Sequence, residues 1–152
     1  MSKIVIGIDP DSDKHGVAIY KDGVLHDLLM NDLMSLMDTL TCNQRSIDFE
    51  SSIVVHIENV CGNNTSSFNQ SSKFNRGVNS KISEKVGMCK QAQKEVEKLC
   101  KHLGIEVVHH RVSKQWKSGP SKSVFKSVTG WTGKSNEDSR SAAYFGWLGV
   151  TS

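Results

Sequence analysis

The sequence contains no long hydrophobic run. Its first apolar stretch, Ile4 to Ile8, is followed at once by Asp9, Asp11 and Asp13. That is too short for the core of a signal peptide, and no later stretch approaches the roughly 20 apolar residues of a membrane helix. A soluble, intracellular protein with no membrane partner is therefore expected. Paired cysteines are missing as well. Cys42, Cys61, Cys89 and Cys100 are scattered, with no C-x-x-C pair and no Cys/His clamp, so neither a zinc site nor a disulfide framework is signalled. Each reads as a reduced thiol filling a buried position. Spare length is also lacking: 152 residues suit a single domain spanning 1–152, with one core and one site. No internal repeat or linker interrupts it.

Acidic residues are scarce in the middle of the chain. Residues 70–134 hold 14 Lys/Arg against 4 Asp/Glu, whereas residues 1–69 hold 4 against 10. An acidic half followed by a strongly basic segment suggests a polyanion lying on a basic surface beside a carboxylate cluster. A solvated, lysine-rich helix is the plainer alternative.

The apolar pattern predicts a buried strand over 3–9, a second over 16–20, an Asp22-Gly23 turn, and a third over 24–30. Asn31 is a candidate cap for a helix to about Leu40. Residues 53–58 read as another buried strand, and the Asn/Ser-rich stretch 62–80 as a mobile loop. A long helix ends at Gly104, with Lys90, Lys94, Lys98 and Lys101 sharing one side. A fifth strand over 105–109, a short helix over 122–128 and a closing helix over 136–148 complete an α/β chain with a mixed sheet covered by helices.

Asp9 and Glu58 each end a buried strand, and Asp138 lies in the first turn of the last helix. Ligands of open α/β sheets bind beyond strand ends, and carboxylates from separate elements suit Mg²⁺, with substrate phosphates completing its shell. Such ions can activate water and stabilise the leaving oxygen of a phosphodiester. Each acid also has a structural reading. Asp11 and Asp13 suit turn chemistry, and Ser135-x-x-Asp138 matches a capping box. Glu58 is the hardest to explain structurally, because an acid closing an apolar strand costs stability unless solvated or paired. A calcium loop starting at Asp9 is excluded by Lys14 and Tyr20, where Gly and Glu are needed.

Gly7-Ile8-Asp9-Pro10-Asp11 with Gly16-Val17-Ala18, Ile57-Glu58-Asn59-Val60, Val86-Gly87, Trp116-Lys117, and the ending from Thr129 to Ala143 together resemble the motifs of RuvC-type Holliday junction resolvases, most nearly the phage- and organelle-like branch. The resemblance runs in order along essentially the whole chain, although each motif is short. It implies a ribonuclease H-like fold, an α/β mixed five-stranded sheet with helices on both faces. It further implies a homodimeric, Mg²⁺-dependent endonuclease that nicks four-way DNA junctions, with two ions per site and Mn²⁺ as a substitute, in the cytoplasm or another intracellular DNA-containing compartment. Carried over by position, Asp9, Glu58 and Asp138 are its metal-binding catalytic acids. Where the family has a further acid one turn beyond Asp138, this chain has Ser141: either three acids suffice, or Asp11 or Glu137 assists, or the form is impaired. Expected DNA contacts are Phe68 and Phe74 in the loop, which could equally pin that loop to the core, and Lys81, Lys114, Trp116, Lys117, Lys122 and Lys134. Two other functions stay open: a nuclease of the same fold acting on flaps or RNA–DNA hybrids, and a junction-binding protein without catalysis. A sugar-kinase or actin-like fold needs two domains, for which this chain is too short.

Overall fold

The computed structural model describes residues 3–48, 50–62 and 76–152, excluding the side chains of 76–80. Five strands, β1 (Lys3–Asp9), β2 (His15–Lys21), β3 (Val24–Asn31), β4 (Ser52–Glu58) and β5 (Glu106–His110), form one sheet in the order β3-β2-β1-β4-β5. The first three are antiparallel, and β4 and β5 run parallel to β1. Helices α1 (Leu33–Ser46), α2 (Arg76–Leu103), α3 (Lys122–Thr129) and α4 (Glu137–Thr151) accompany the sheet. Among the described residues, no helix is long and apolar enough to cross a membrane.

Local chemistry explains most boundaries. The β2–β3 turn places Asp22 (φ 51) and Gly23 (φ 85) in the left-handed region, the geometry that the Asp-Gly pair favours in a two-residue hairpin. Gly104, at φ 72, ends α2, with the Ile105 N–H returning to the Cys100 carbonyl at 2.8 Å, the 6→1 bond of a Schellman stop.

Several expectations change. Asn31 completes β3, and its neighbour Asp32 caps α1 by accepting from the Ser35 N–H at 2.8 Å. The last helix is capped by Asn136 paired with Ser139, rather than by Ser135 with Asp138. This removes the capping role that competed for Asp138. The long helix begins at Arg76, inside the stretch read as loop; Phe68 and Phe74 lie outside the described residues. Of the four cysteines only Cys100 is buried, while Cys42 is exposed.

The sheet buries two unlike faces. Ile4, Ile6, Ile8, Val17, Ile19, Val55 and Ile57 pack with Leu36 and Leu40 of α1 and Val96 and Cys100 of α2. On the other face, Val5, Ala18 and Tyr20 meet Ala142 and Ala143 of α4, together with Trp116 and Phe125. Here α4 lies nearly on the strands. A Cβ at Gly7 would stand 1.9 Å from the Ala142 carbonyl oxygen, and one at Gly16 would stand 2.2 Å from that of Asp138.

Candidate metal centre

Strand pairing places two of the acids. β1 and β4 are parallel neighbours with Ile8 opposite Ile57, so Asp9 and Glu58, the next residue in each strand, emerge together at one sheet edge. Gly16 sits across from Asp9 on β2. Because Gly16 has no side chain, the backbone of Asp138 can settle against it, bringing the first turn of α4 beside Asp9. Thus β1, β4 and α4 each deliver one carboxylate.

The two strand acids are poorly solvated, while Asp138 is half-buried. Asp9 and Glu58 are 4% and 6% exposed. Burial, then the Asp9 charge and a hydrogen bond with Asp9, push the Glu58 carboxyl up to about 8. Asp138 is also raised, by burial and then by Asp9, with a smaller push from the charge of Asp11. Asp11 therefore joins the cluster, whereas Glu137 is exposed. Asp11 is itself oriented: its N–H donates to His15 Nδ1 at 3.2 Å, and Cys89 Sγ lies 3.7 Å from its Oδ1. Burial lowers the His15 pKa, opposed in part by Asp11, which suits a ring accepting that bond in neutral form.

Lys117 was expected on the DNA surface, but its ammonium lies 3.2 Å from Asp9 Oδ2 and 3.9 Å from Asp138 Oδ1. Burial pulls its pKa down, but the charges of Asp9 and Glu58 outweigh this and the net shift is upward. Trp116 was expected to contact DNA too. At 3% exposure it is core instead, packed against Phe125, Tyr144 and Trp147. Lys81, Lys114 and Lys134 are exposed and Lys122 partly so, which leaves them available to phosphates. Ser141 is fully buried.

Four supporting residues were not singled out from the sequence. Arg140, 6% exposed, donates to the carbonyls of Trp116 and Lys117 at 2.8 and 2.7 Å and to Ser135 Oγ at 3.2 Å. Buried Gln93 accepts from the Cys61 N–H and donates to Asn59 Oδ1, tying the chain just beyond Glu58 to α2. His15 is the third and Gly16, as a site of close packing, the fourth. A charged or amide residue inside an apolar helical pattern was the available signal for Arg140 and Gln93.

The donor set fits a hard divalent cation. Asp9 Oδ2 and Glu58 Oε2 are buried without a hydrogen-bond partner; the ion pair from Lys117 to Asp9 is close but not aligned as a hydrogen bond. Buried oxygens in this condition call for a cation. Among the described residues, however, no three His, Cys, Asp or Glu side chains close into a ready-made cage.

The mixed sheet, its strand order and the helices on both faces define a ribonuclease H-like α/β fold. Among solved structures, the chain is similar to T. thermophilus RuvC in complex with a Holliday junction substrate, with TM-score 0.56, 11% identity, and coverage of 97% of this chain and 93% of that one. No protein-family profile and no curated sequence matches the chain.

Proposed function

We propose that this chain is a divalent-metal-dependent DNA endonuclease acting on four-way junctions. The observation that carries the reading is the convergence of Asp9, Glu58 and Asp138 from three separate elements, with Glu58 Oε2 buried without a partner and Asp9 Oδ2 met only by the Lys117 ammonium. The RuvC likeness supports branched DNA as the substrate class. Asp9, Glu58 and Asp138 would hold Mg²⁺ or Mn²⁺, with Asp11 adding negative charge beside Asp138. Such an ion, when bound, supplies an activated water and a counter-charge for the scissile phosphate. The protein's own contribution is to keep the acids dry and fixed, through Gly16, His15 and Gln93. Exposed Lys114, Lys122 and Lys134 neutralise DNA phosphates.

Paired nicking requires two sites related by symmetry, hence a homodimer. On α2, Ile82 and Met88 are exposed apolar side chains and a Cβ at Gly87 would meet open space, a surface suited to a second copy. Sedimentation of the free protein tests this part.

The deciding experiment is incubation with a labelled immobile junction and Mg²⁺, alongside flap, hybrid and plain duplex. Symmetric paired nicks in the junction alone are expected. Neutral Ser141 favours a second reading, a junction binder without catalysis; tight binding with no cleavage in Mg²⁺ or Mn²⁺ would establish it.

A further inference from the structure

We propose that Lys117, held in place by Arg140, is a resident cation of the acid cluster, so that each chain takes up one divalent ion rather than two. This rests on the metal-centre reading above and deepens it.

Three observations carry the inference. The first is position: the Lys117 ammonium is within ion-pair distance of two of the three acids, Asp9 and Asp138, which arrive from different elements. The second is the way the lysine is held. Trp116, just before it, has φ 66, a left-handed conformation that a bulky residue adopts only under constraint. The constraint is visible. Trp116 is wedged among Phe125, Tyr144 and Trp147, and Arg140 binds the carbonyls of both Trp116 and Lys117. Arg140 belongs to the same helix as Asp138, so one rigid element sets both the carboxylate and the loop that carries its counter-charge. All three oxygens that Arg140 engages are neutral, so its guanidinium serves as a clamp rather than as an ion-pair partner for these groups.

The third observation is charge. Fully ionised, Asp9, Glu58 and Asp138 with the neighbouring Asp11 present four negative charges; Lys117 and one divalent ion offset three of them, whereas Lys117 and two ions would leave the cluster net positive. Buried Ser141 adds nothing to the acid side. A second divalent ion would meet a fixed ammonium and no further acid at that position, and like charges a few ångströms apart in a partly buried site repel strongly. Arg140 is in these terms a positioning residue that acts through Lys117.

The test is a Mn²⁺ titration of the DNA-free protein, with unbound Mn²⁺ followed by electron paramagnetic resonance. The intact chain is expected to take up one ion. Lys117→Met should admit a second, or tighten the first by at least about tenfold, because it removes a positive charge at ion-pair distance. Arg140→Gln should shift the isotherm in the same direction and Arg140→Lys should shift it less, with circular dichroism and melting curves verifying that each variant is folded. Two ions in the intact chain, or identical isotherms for it and Lys117→Met, overturn the proposal. If Arg140→Gln does not fold, Ser135→Ala, which removes only one bond of the clamp, takes its place. A folded clamp variant that melts lower but keeps the original isotherm overturns the role of Arg140. One bound Mn²⁺ without junction cleavage would sink the nuclease reading and leave this one standing; absence of Mn²⁺ binding would sink both.

Discussion

The two faces of the sheet differ in kind. The face covered by α1 and α2 has a core of Ile, Val and Leu on the strands, side chains that fill space, with polar groups only at its margins, where His15, Asn31 and His109 find partners. The face covered by α4 carries Gly7, Asp9, Gly16, Tyr20, His56 and Glu58 on its strands and Arg140 and Ser141 on its helix, with polar groups that need partners. The first resists unfolding by area and the second by fit. Tyr20 illustrates the fit: its hydroxyl donates to the Ala143 carbonyl at 2.7 Å, and burial pushes the phenol pKa up. Alternation along β1 and β4 lets one strand serve both faces, since successive side chains point to opposite sides. The two strand acids of the candidate site, Asp9 and Glu58, belong to the second face.

If this contrast is right, a methyl group should matter far more on one face than on the other. Gly7→Ala drives a Cβ into the α4 backbone, 1.9 Å from the Ala142 carbonyl oxygen, where nothing flexible can give way. A loss of about 3 kcal/mol or more in chemical denaturation is expected. Ile6→Val, one residue away on the opposite face, should cost about 0.5–1.5 kcal/mol. Equal losses would mean that α4 can lift off the sheet.

A second contrast concerns what the polar face is for. Asp9→Asn should lower junction cleavage by about 100-fold or more, the scale of losing a group that acts on the reacting charges. Junction affinity should stay near that of the unchanged chain. Without metal, the melting temperature should change little, because the repulsion from Glu58 and Asp138 that is relieved is offset by the ion pair with Lys117 that is lost. Parallel loss of binding, cleavage and stability would assign Asp9 to folding.

The polar face should also give the protein a pH response, centred on a stacked histidine pair that the aliphatic core lacks. His56 on β4 has its pKa lowered to about 4, by burial and then by the neighbouring His110. Their rings stack with centroids 5.0 Å apart, with His56 Nδ1 lying 2.7 Å from His110 Nε2. A histidine with a depressed folded pKa binds its proton more readily in the unfolded chain, so stability falls as pH drops from about 6.5, the ordinary histidine value, towards 4. The lowered value of His110 on this face, and that of His15 at the margin of the other, act in the same direction. His56→Gln should flatten part of the slope of melting temperature against pH over that window. An unchanged slope would assign it to other groups.

The aliphatic face was legible in the sequence and the other face only in part. Runs such as Ile-Val-Ile-Gly-Ile and Ile-Val-Val-His-Ile declare buried strands, and an acid at the end of each run declares a site, because nothing apolar explains it. What remained hidden depends on contacts between distant segments. Gly7 and Gly16 appear as hairpin residues until α4 is seen to rest on them. Trp116 and Lys117 appear as adjacent surface residues of a basic segment until the left-handed turn at Trp116 sends one ring into the core and the neighbouring ammonium to the acids. The cap of α1 fell on Asp32 instead of Asn31 because both residue types can cap, and the sheet register took Asn31 for β3, opposite His15.

The smallest expected effects concern the basic surface outside both faces, and they separate Lys117 from its neighbour Lys114. Lys114 is exposed, and its contribution to DNA binding is release of counterions from one phosphate. Lys114→Ala should therefore reduce the slope of log affinity against log salt by about one, with a modest loss of junction affinity at any one salt concentration. Lys117 is engaged by Asp9 and Asp138, so its charge is already neutralised inside the protein and displaces no counterion from DNA. Lys117→Ala should leave the salt slope nearly unchanged while altering the metal dependence of cleavage. Fluorescence anisotropy of a labelled junction across a salt series measures both variants. A slope reduced by about one in Lys117→Ala would mean that this ammonium leaves the acids for a phosphate when DNA binds, and the distinction between a basic surface and an internal cation would fall.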